Sequence, residues 1–218
     1  MIEDIKKALW SDVVHVLIDM DGTIVDKYFD EYFWLTLMPQ RYSEINGISI
    51  ESSKAILFAR YKTQERTLNW TDVDYWSRDL GIDVVGLKEG ISSLVTAVPY
   101  VEDFLRQLRD KGKKLLLFTN AHPKTIEIKM EKALLLGYFD EVVTSFDMGC
   151  PKEDIRFWQR AEDKIGFDCD KTLFIDDTLE VVMAAREYGI KYVLHMNVGF
   201  KCFSEIMGQG NEFPCGDF

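Results

Sequence analysis

Apolar runs and amphipathic stretches divide the chain into predicted strands and helices. Residues 13–18 are apolar except for His15, and the run ends abruptly in Asp19-Met20-Asp21-Gly22-Thr23. A continuous apolar run of this length predicts a buried strand, which places two acidic residues at its carboxyl end. A solvated turn is the alternative, because Asp-Gly pairs are common in turns.

From about residue 100 onward the pattern repeats one unit, an amphipathic helix followed by a glycine and a short apolar strand. Strands without polar alternation are typical of a parallel sheet covered by helices on both faces, so the predicted fold class is α/β with a doubly wound sheet. The predicted strands are 114–119, 142–143, 172–175 and 192–194, and the predicted capping glycines are Gly112, Gly137, Gly166 and Gly189.

The carboxyl ends of parallel strands meet at one edge of such a sheet, and ligands bind outside that edge. Polar residues follow three of the predicted strands. They are Asp19 and Asp21, Thr119 and Asn120, and Asp176 and Asp177. We therefore expect three distant parts of the chain to form one site.

Residues 26–98 interrupt the alternation, and a structureless loop of about seventy residues is implausible in a compact domain. Aromatic pairs spaced i, i+4 and the stretch Thr71-Asp72-Val73-Asp74, which resembles a capping box before a helix closed by Gly81, predict helices instead. The predicted organisation is a core of residues 1–25 and 99–218, with a helical cap of residues 26–98 inserted after the first strand.

Charge and hydropathy narrow the possible partners. The 218 residues carry a net charge of −11, and no dense basic run is present, so nucleic acid polymers are not an expected partner. No apolar stretch approaches the roughly 20 residues needed to span a bilayer, and the first residues do not resemble a signal peptide. We therefore expect a cytoplasmic protein without membrane contact, which must create local positive charge to bind an anionic substrate.

Paired carboxylates at the end of a core element predict a bound cation, because they repel each other and are costly to desolvate. A carboxylate can also attack a phosphoryl group and form an aspartyl phosphate, provided that the repulsion between the two anions is neutralised and the leaving group is protonated. Asp19 is the predicted nucleophile, because the sheet fixes its position. Asp21 is the predicted general acid and base.

Carboxylates from two strand ends plus a backbone carbonyl form a reasonable Mg²⁺ site, with Asp19, Asp21 and Asp176 as the predicted set. Asp177 and Glu180 are expected to orient metal-bound water from outside that set. The predicted phosphate-binding residues are Met20, Asp21, Thr119, Asn120 and Lys152. Taken one at a time, several of these residues are equally explained by helix capping or by a position on the surface. The prediction therefore depends on their occurring together, in order, at the ends of successive strands and loops.

This ordered set resembles the motifs of the haloacid dehalogenase-like hydrolases. The matching pieces are Asp19-Met20-Asp21-Gly22-Thr23, then Thr119, Lys152, and Asp176-Asp177 with Glu180. The resemblance covers most of the chain and implies a Rossmann-like core, a helical cap after the first motif, Mg²⁺ and an aspartyl-phosphate mechanism. Many members follow the lysine with prolines, whereas here Pro151 precedes it and Glu153-Asp154 follow.

Further stretches resemble one branch of that family, the bacterial purine 5'-nucleotidases that act on GMP and IMP. The stretches are 29–34, 67–70, 74–77, 119–123 and 151–154. The resemblance implies hydrolysis of purine nucleoside 5'-monophosphates. A phosphatase of a sugar phosphate or phosphoglycolate is the alternative, and a phosphate-sensing protein without turnover is a rival of another class. Candidate substrate contacts are His122, Tyr32 and Trp70, although packing or helix capping also explains each of them.

Overall fold

The computed structural model describes residues 11–196. Within that range, five strands form one parallel sheet in the order β3-β2-β1-β4-β5. The strands are β1 (His15–Ile18), β2 (Lys114–Thr119), β3 (Glu141–Thr144), β4 (Thr172–Asp176) and β5 (Tyr192–His195). The strand order reverses at β1, which creates a crevice at the carboxyl ends of β1 and its neighbours. The predicted α/β fold class with a doubly wound sheet is confirmed.

The described helices lie between β1 and β2 and between the later strands. In chain order they are α1 (Tyr28–Tyr32), α2 (Met38–Asn46), α3 (Ile50–Gln64), α4 (Val73–Leu80), α5 (Val84–Gly90), α6 (Val101–Asp110), α7 (Pro123–Ala133), α8 (Ser145–Met148), α9 (Ile155–Ile165) and α10 (Leu179–Tyr188). A π-helical turn (Phe33–Leu37) joins α1 to α2, and a 3₁₀ turn (Leu68–Trp70) precedes α4.

Alternate residues of each strand face opposite layers of helices, as the two-residue period of a strand requires. Val16 and Ile18 of β1 pack in the same apolar cluster as the buried side chains of α6 and α7. Leu17, between them, packs in a second cluster with buried side chains of α9 and α10. The apolar strands are therefore explained by burial on both faces of the sheet.

Helices α2 to α5, together with the π-helical turn before them, have an apolar cluster of their own, which we call the cap cluster. It includes Phe33, Met38, Leu57, Trp76 and Val84. None of these residues belongs to the two clusters that cover the sheet. This separation agrees with an inserted cap, although its boundaries at 26 and 98 stay a prediction, and residues 1–10 and 197–218 of the predicted core lie outside the described range.

Helix ends follow the predicted capping residues in most cases. Gly81, Gly166 and Gly189 adopt left-handed conformations directly after α4, α9 and α10. The prediction that Gly137 caps α7 is wrong, because that helix ends at Ala133 and Leu134 takes the left-handed position with φ of 57°. Leu134 is 81% exposed, so its side chain gains no burial.

The capping box predicted before α4 is also different in detail. Asp72 is the N-cap, and its Oδ1 accepts hydrogen bonds from the amides of Asp74 and Tyr75 at 2.8 and 2.9 Å. Thr71 therefore does not cap the helix, and its hydroxyl instead donates a hydrogen bond to the carbonyl of Asn120 at 2.6 Å. Because Asn120 follows β2, this hydrogen bond joins the cap to the carboxyl edge of the sheet.

None of the helices between residues 11 and 196 combines the length and the hydropathy that crossing a membrane requires.

Candidate active site

The carboxyl ends of β1 and β4 bring two aspartates to one ammonium group. Asp19 follows β1, and its amide donates to the carbonyl of Ile175 at 2.9 Å, which extends the sheet by one residue. Asp176 is the last residue of β4. Lys152 Nζ lies 2.5 Å from Asp19 Oδ1 and 2.6 Å from Asp176 Oδ2. The predicted meeting of distant strand ends is therefore present in the structure.

The loop after α8 holds Lys152 in place, and Asn120 contributes to this. The Lys152 amide donates to Asn120 Oδ1 at 2.9 Å, and its ammonium also donates to the carbonyl of Phe118 at 3.0 Å. Asn120 Nδ2 donates to Glu153 at 2.9 Å. The lysine side chain is 3% exposed, so its charge acts on the carboxylates with little screening by water.

Asp19, Asp176 and Asp177 form a group that suits a hard cation. One carboxylate oxygen from each residue lies within 4.8 Å of the others. Lys152 contacts two of them, and Lys27 forms an ion pair with Asp177. The two ammonium groups balance only two of the three negative charges that the carboxylates carry when ionised. A set of ligands made only of oxygen donors fits Mg²⁺ better than it fits zinc.

Burial dominates the electrostatics of this group. It raises the pKa of Asp19 above its ordinary value, although Lys152 lowers it in part. Burial likewise raises the pKa of Asp176 to about 7, against the opposing effect of Lys152. Burial disfavours the ammonium form of Lys152, but the two carboxylates outweigh burial and raise its pKa. Additional positive charge is therefore needed to keep both aspartates ionised near neutral pH.

A tight turn after β1 carries the remaining residues of the first motif. The carbonyl of Met20 accepts hydrogen bonds from the amides of Ile24 and Val25, both at 2.9 Å. Gly22 has a φ of 80°, and a Cβ there would collide with Lys27 and Asp177. Glycine is thus required by both conformation and space. The Met20 side chain is fully buried, which leaves only its main chain for phosphate binding.

Asp21 does not belong to the three-carboxylate group, although it lines the same cavity as Asp19. Its carboxylate forms an ion pair with Lys129 of α7, and 29% of its side chain is exposed. Burial raises the pKa of Asp21 to about 6, while Lys129 lowers it and Asp30 raises it. The structure therefore places Asp177, rather than the Asp21 side chain, with Asp19 and Asp176, and a metal contact from Asp21 stays a prediction for its main chain.

The other predicted residues divide into those that face the site and those that do not. Thr119, Asn120, His122 and Trp70 line the same cavity as Asp19. His122 is also the N-cap of α7, so its capping role is present, and Thr119 Oγ1 accepts from the Ala121 amide at 3.0 Å. These positions allow the predicted substrate contacts, which stay predictions.

Tyr32 and Glu180 occupy places that the sequence did not predict. Tyr32 does not line the cavity, and its ring lies 6.0 Å from that of Tyr28 on α1. Glu180 is exposed, lies 3.9 Å from Arg66 of the cap, and lines a smaller neighbouring cavity of about 280 Å³. The geometry does not favour their predicted roles, because neither residue lies among those lining the larger cavity.

That larger cavity, which we call the active-site cavity, has a volume of about 490 Å³. Ligand pockets commonly have about 300–1,000 Å³. Its lining combines the polar residues of the sheet edge with aromatic side chains of the cap, namely Trp34, Tyr61, Trp70 and Trp76. A molecule with an anionic end and an aromatic end therefore has complementary surfaces within one space.

Three further charged residues at this site, two of them buried lysines, are absent from the predicted set. Lys129 and Lys88 are 0% and 1% exposed, and Asp30 forms ion pairs with both. A signal for Lys129 exists in the sequence, because it lies on the apolar stripe of α7 between Ile126 and Met130. A charge on a core-facing stripe indicates a buried partner, but sequence spacing does not identify that partner.

Comparisons with known proteins agree with this geometry. A model of the haloacid dehalogenase-like hydrolase family matches residues 13–189. The GMP/IMP nucleotidase YrfG of Escherichia coli (strain K12) is 36% identical over 185 residues, which are 85% of this chain and 83% of that protein. The (S)-2-haloacid dehalogenase of Pseudomonas sp. (strain YL) is 25% identical over 73% of this chain and 62% of its own length.

A solved structure of similar fold is the HAD phosphatase from Thermococcus onnurineus. It superposes with a TM-score of 0.73 over 83% of this chain and 85% of that one, at 24% sequence identity. At this identity the similarity shows the fold alone.

Proposed function

The chain belongs to the haloacid dehalogenase-like hydrolase family, and on that basis we propose that it is a Mg²⁺-dependent phosphomonoesterase acting on purine nucleoside 5'-monophosphates, GMP and IMP. One observation carries the proposal. The active-site cavity is lined by Asp19 and Lys152 and also by tryptophans of the cap. The similarity to a GMP/IMP nucleotidase supports the choice of nucleotide over other phosphate esters.

In the proposed reaction, Asp19 attacks phosphorus and forms an aspartyl phosphate as the bond to the 5' oxygen breaks. Lys152 offsets part of the negative charge of Asp19 and Asp176, which reduces the repulsion between the nucleophile and an anionic substrate. Asp21 donates a proton to the departing 5' oxygen, which leaves as the nucleoside hydroxyl. The same carboxylate then takes a proton from water, and the resulting attack on phosphorus releases phosphate and restores Asp19.

A Mg²⁺ ion held by Asp19 and Asp176, with Asp177 beside them, would supply positive charge at the phosphoryl oxygens. The Thr119 hydroxyl and the main-chain amides after β1 and β2 are donors for the same oxygens. Together these groups would hold the phosphoryl group beside Asp19.

The role expected of Asp21 distinguishes this proposal from two rival functions, phosphate sensing and dehalogenation. A phosphate sensor gains nothing from a base that hastens loss of its phosphoryl group, and dehalogenation needs no second acid. Asp21 shares the active-site cavity with Asp19, which favours phosphate ester hydrolysis.

The test is phosphate release from a panel of GMP, IMP, AMP, ribose 5-phosphate and phosphoglycolate, each with Mg²⁺ and with a chelator. We expect the highest kcat/KM for GMP and IMP and loss of activity with the chelator. Equal or better turnover of the sugar phosphate or phosphoglycolate would overturn the nucleotide assignment. Full activity after chelation would overturn the metal requirement.

A further inference from the structure

Four charged side chains form a continuous ladder of ion pairs that begins at Asp21. Lys129 Nζ contacts the carboxylates of both Asp21 and Asp30. The other oxygen of Asp30 accepts from Lys88 Nζ at 2.6 Å. We call these four residues the charge ladder. Two carboxylates alternate with two ammonium groups, so the ladder is electrically balanced.

The ladder crosses from the sheet to the cap. Asp21 follows β1 and Lys129 belongs to α7, which packs on the sheet. Asp30 belongs to α1 and Lys88 to α5, two of the helices between β1 and β2. The side chain of the predicted acid is therefore connected to the cap through one fully buried lysine.

Each member beyond Asp21 is firmly held. Lys88 Nζ lies 4.8 Å and 4.5 Å from the ring centroids of Phe29 and Phe33, within the range of cation–π attraction. Lys88 and Lys129 outweigh the effect of burial on Asp30 and lower its pKa, so Asp30 stays ionised. A fixed Asp30 in turn fixes the position of the Lys129 ammonium.

A purely structural role does not account well for this arrangement. Apolar side chains of similar volume often stabilise a protein as much as buried ion pairs do, because burying charge is costly. An exposed ion pair already joins the same two parts of the molecule. Lys124 of α7 donates to Asp74 of α4 at 2.6 and 2.8 Å. What distinguishes the ladder is that it ends on Asp21, whose partly exposed carboxylate lines the active-site cavity.

We infer that Lys129 and Asp30 are positioning residues for Asp21, so that the cap, when docked on the sheet, sets the orientation of the acid and base carboxylate. This inference rests on the proposed function, because it assumes that Asp21 transfers protons. Asp30 fixes Lys129, and Lys129 holds one oxygen of Asp21, whose carboxylate lines the active-site cavity. Neither positioning residue needs to touch the substrate.

The first test compares Lys129→Met and Asp30→Asn with the matched control Lys124→Met. All three remove a charge from an ion pair between α7 and the cap, but only the first two act on the ladder. A misplaced catalytic group costs up to about 100-fold in rate. We expect kcat for GMP to fall about 10- to 100-fold in the ladder variants with KM changed less than about threefold. The control is expected to stay within about twofold of the original protein.

A second measurement separates positioning from simple loss of structure. Nitrophenolate leaves without accepting a proton, so phosphoryl transfer from p-nitrophenyl phosphate to Asp19 does not require the acid. We expect the ladder variants to retain a rapid burst of nitrophenolate within about threefold of the original rate. The following steady state is expected to be slow, because the same carboxylate must activate water. If a single substitution prevents folding, the double variant Lys129→Met/Asp30→Asn serves in its place, because it removes one positive and one negative charge together.

Four results would count against the inference or its premise. If Lys124→Met lowers kcat as much as Lys129→Met, cap docking alone explains the effect. If the nitrophenolate burst falls as far as GMP turnover, or if neither ladder variant nor the double variant folds, the ladder is structural and the inference is wrong. An original protein that hydrolyses neither ester would instead contradict the proposed function, and the inference would fall with it.

Discussion

Truncation of Trp70 tests whether the cap recognises a base. Trp70 lines the active-site cavity, yet 43% of the residue is exposed. Its ring lies 6.5 Å from the ring of Tyr61, and its carbonyl, which Trp70→Ala retains, accepts a hydrogen bond from the indole N–H of Trp76 at 3.1 Å. The substitution therefore removes an exposed ring without breaking a hydrogen bond, so we expect little loss of stability.

The magnitude follows from the energy of stacking. An aromatic ring against a base contributes about 1–3 kcal/mol, which corresponds to about 5- to 150-fold in affinity. We expect Trp70→Ala to raise KM for GMP within that range and to leave kcat nearly unchanged. Ribose 5-phosphate has no base to stack, so its KM should stay within about twofold. The assay is steady-state phosphate release with both substrates.

Phe58 provides a matched control. It is 42% exposed, its ring lies 6.1 Å from that of Tyr61, and it does not line the active-site cavity. We expect Phe58→Ala to change KM for neither substrate. If Trp70→Ala shifted KM equally for GMP and ribose 5-phosphate, or if Phe58→Ala had the same effect, the reasoning that Trp70 stacks on the base would be refuted.

Three further predictions concern the carboxylates. Asp19→Asn should abolish turnover, and normal phosphate release by that variant would disprove the covalent route. Asp21→Asn should slow GMP turnover by about 100-fold or more, the usual scale for loss of an acid and base, as measured by kcat at saturating substrate. Burial raises the pKa of Asp176 to about 7 in the folded protein without metal, whereas the same carboxyl group in the unfolded chain loses its proton above about pH 4. The folded state therefore binds one more proton than the unfolded state between about pH 4 and 7, and the contribution of Asp176 to stability falls as the pH rises through that range. Mg²⁺ must displace the proton on Asp176 at pH 6 but not at pH 8, so the affinity for Mg²⁺ should be about tenfold higher at pH 8. The increase in Tm on adding Mg²⁺ should accordingly be larger at pH 8 than at pH 6, and equal increases at both pH values would contradict this prediction.

Local pattern predicted the sheet and its carboxyl edge because both depend on short-range periodicity. The apolar run before Asp19 and the one before Asp176 each indicate a strand, and the rule of right-handed connections brings their ends together. Helix ends were less predictable. Leu134 rather than Gly137 ends α7, since the choice of a left-handed residue depends on where packing stops the helix.

The sequence by itself determined the α/β class, the strand ends and the identity of Asp19, Lys152 and Asp176 as a group, because these follow from periodicity and from chemistry at fixed positions. Only the tertiary structure decided which charges meet. Lys129 lies 108 residues from Asp21 and 99 from Asp30. Partners so far apart are chosen by the packing of the cap on the sheet, and that packing depends on the shapes of whole apolar surfaces rather than on the spacing of residues along the chain.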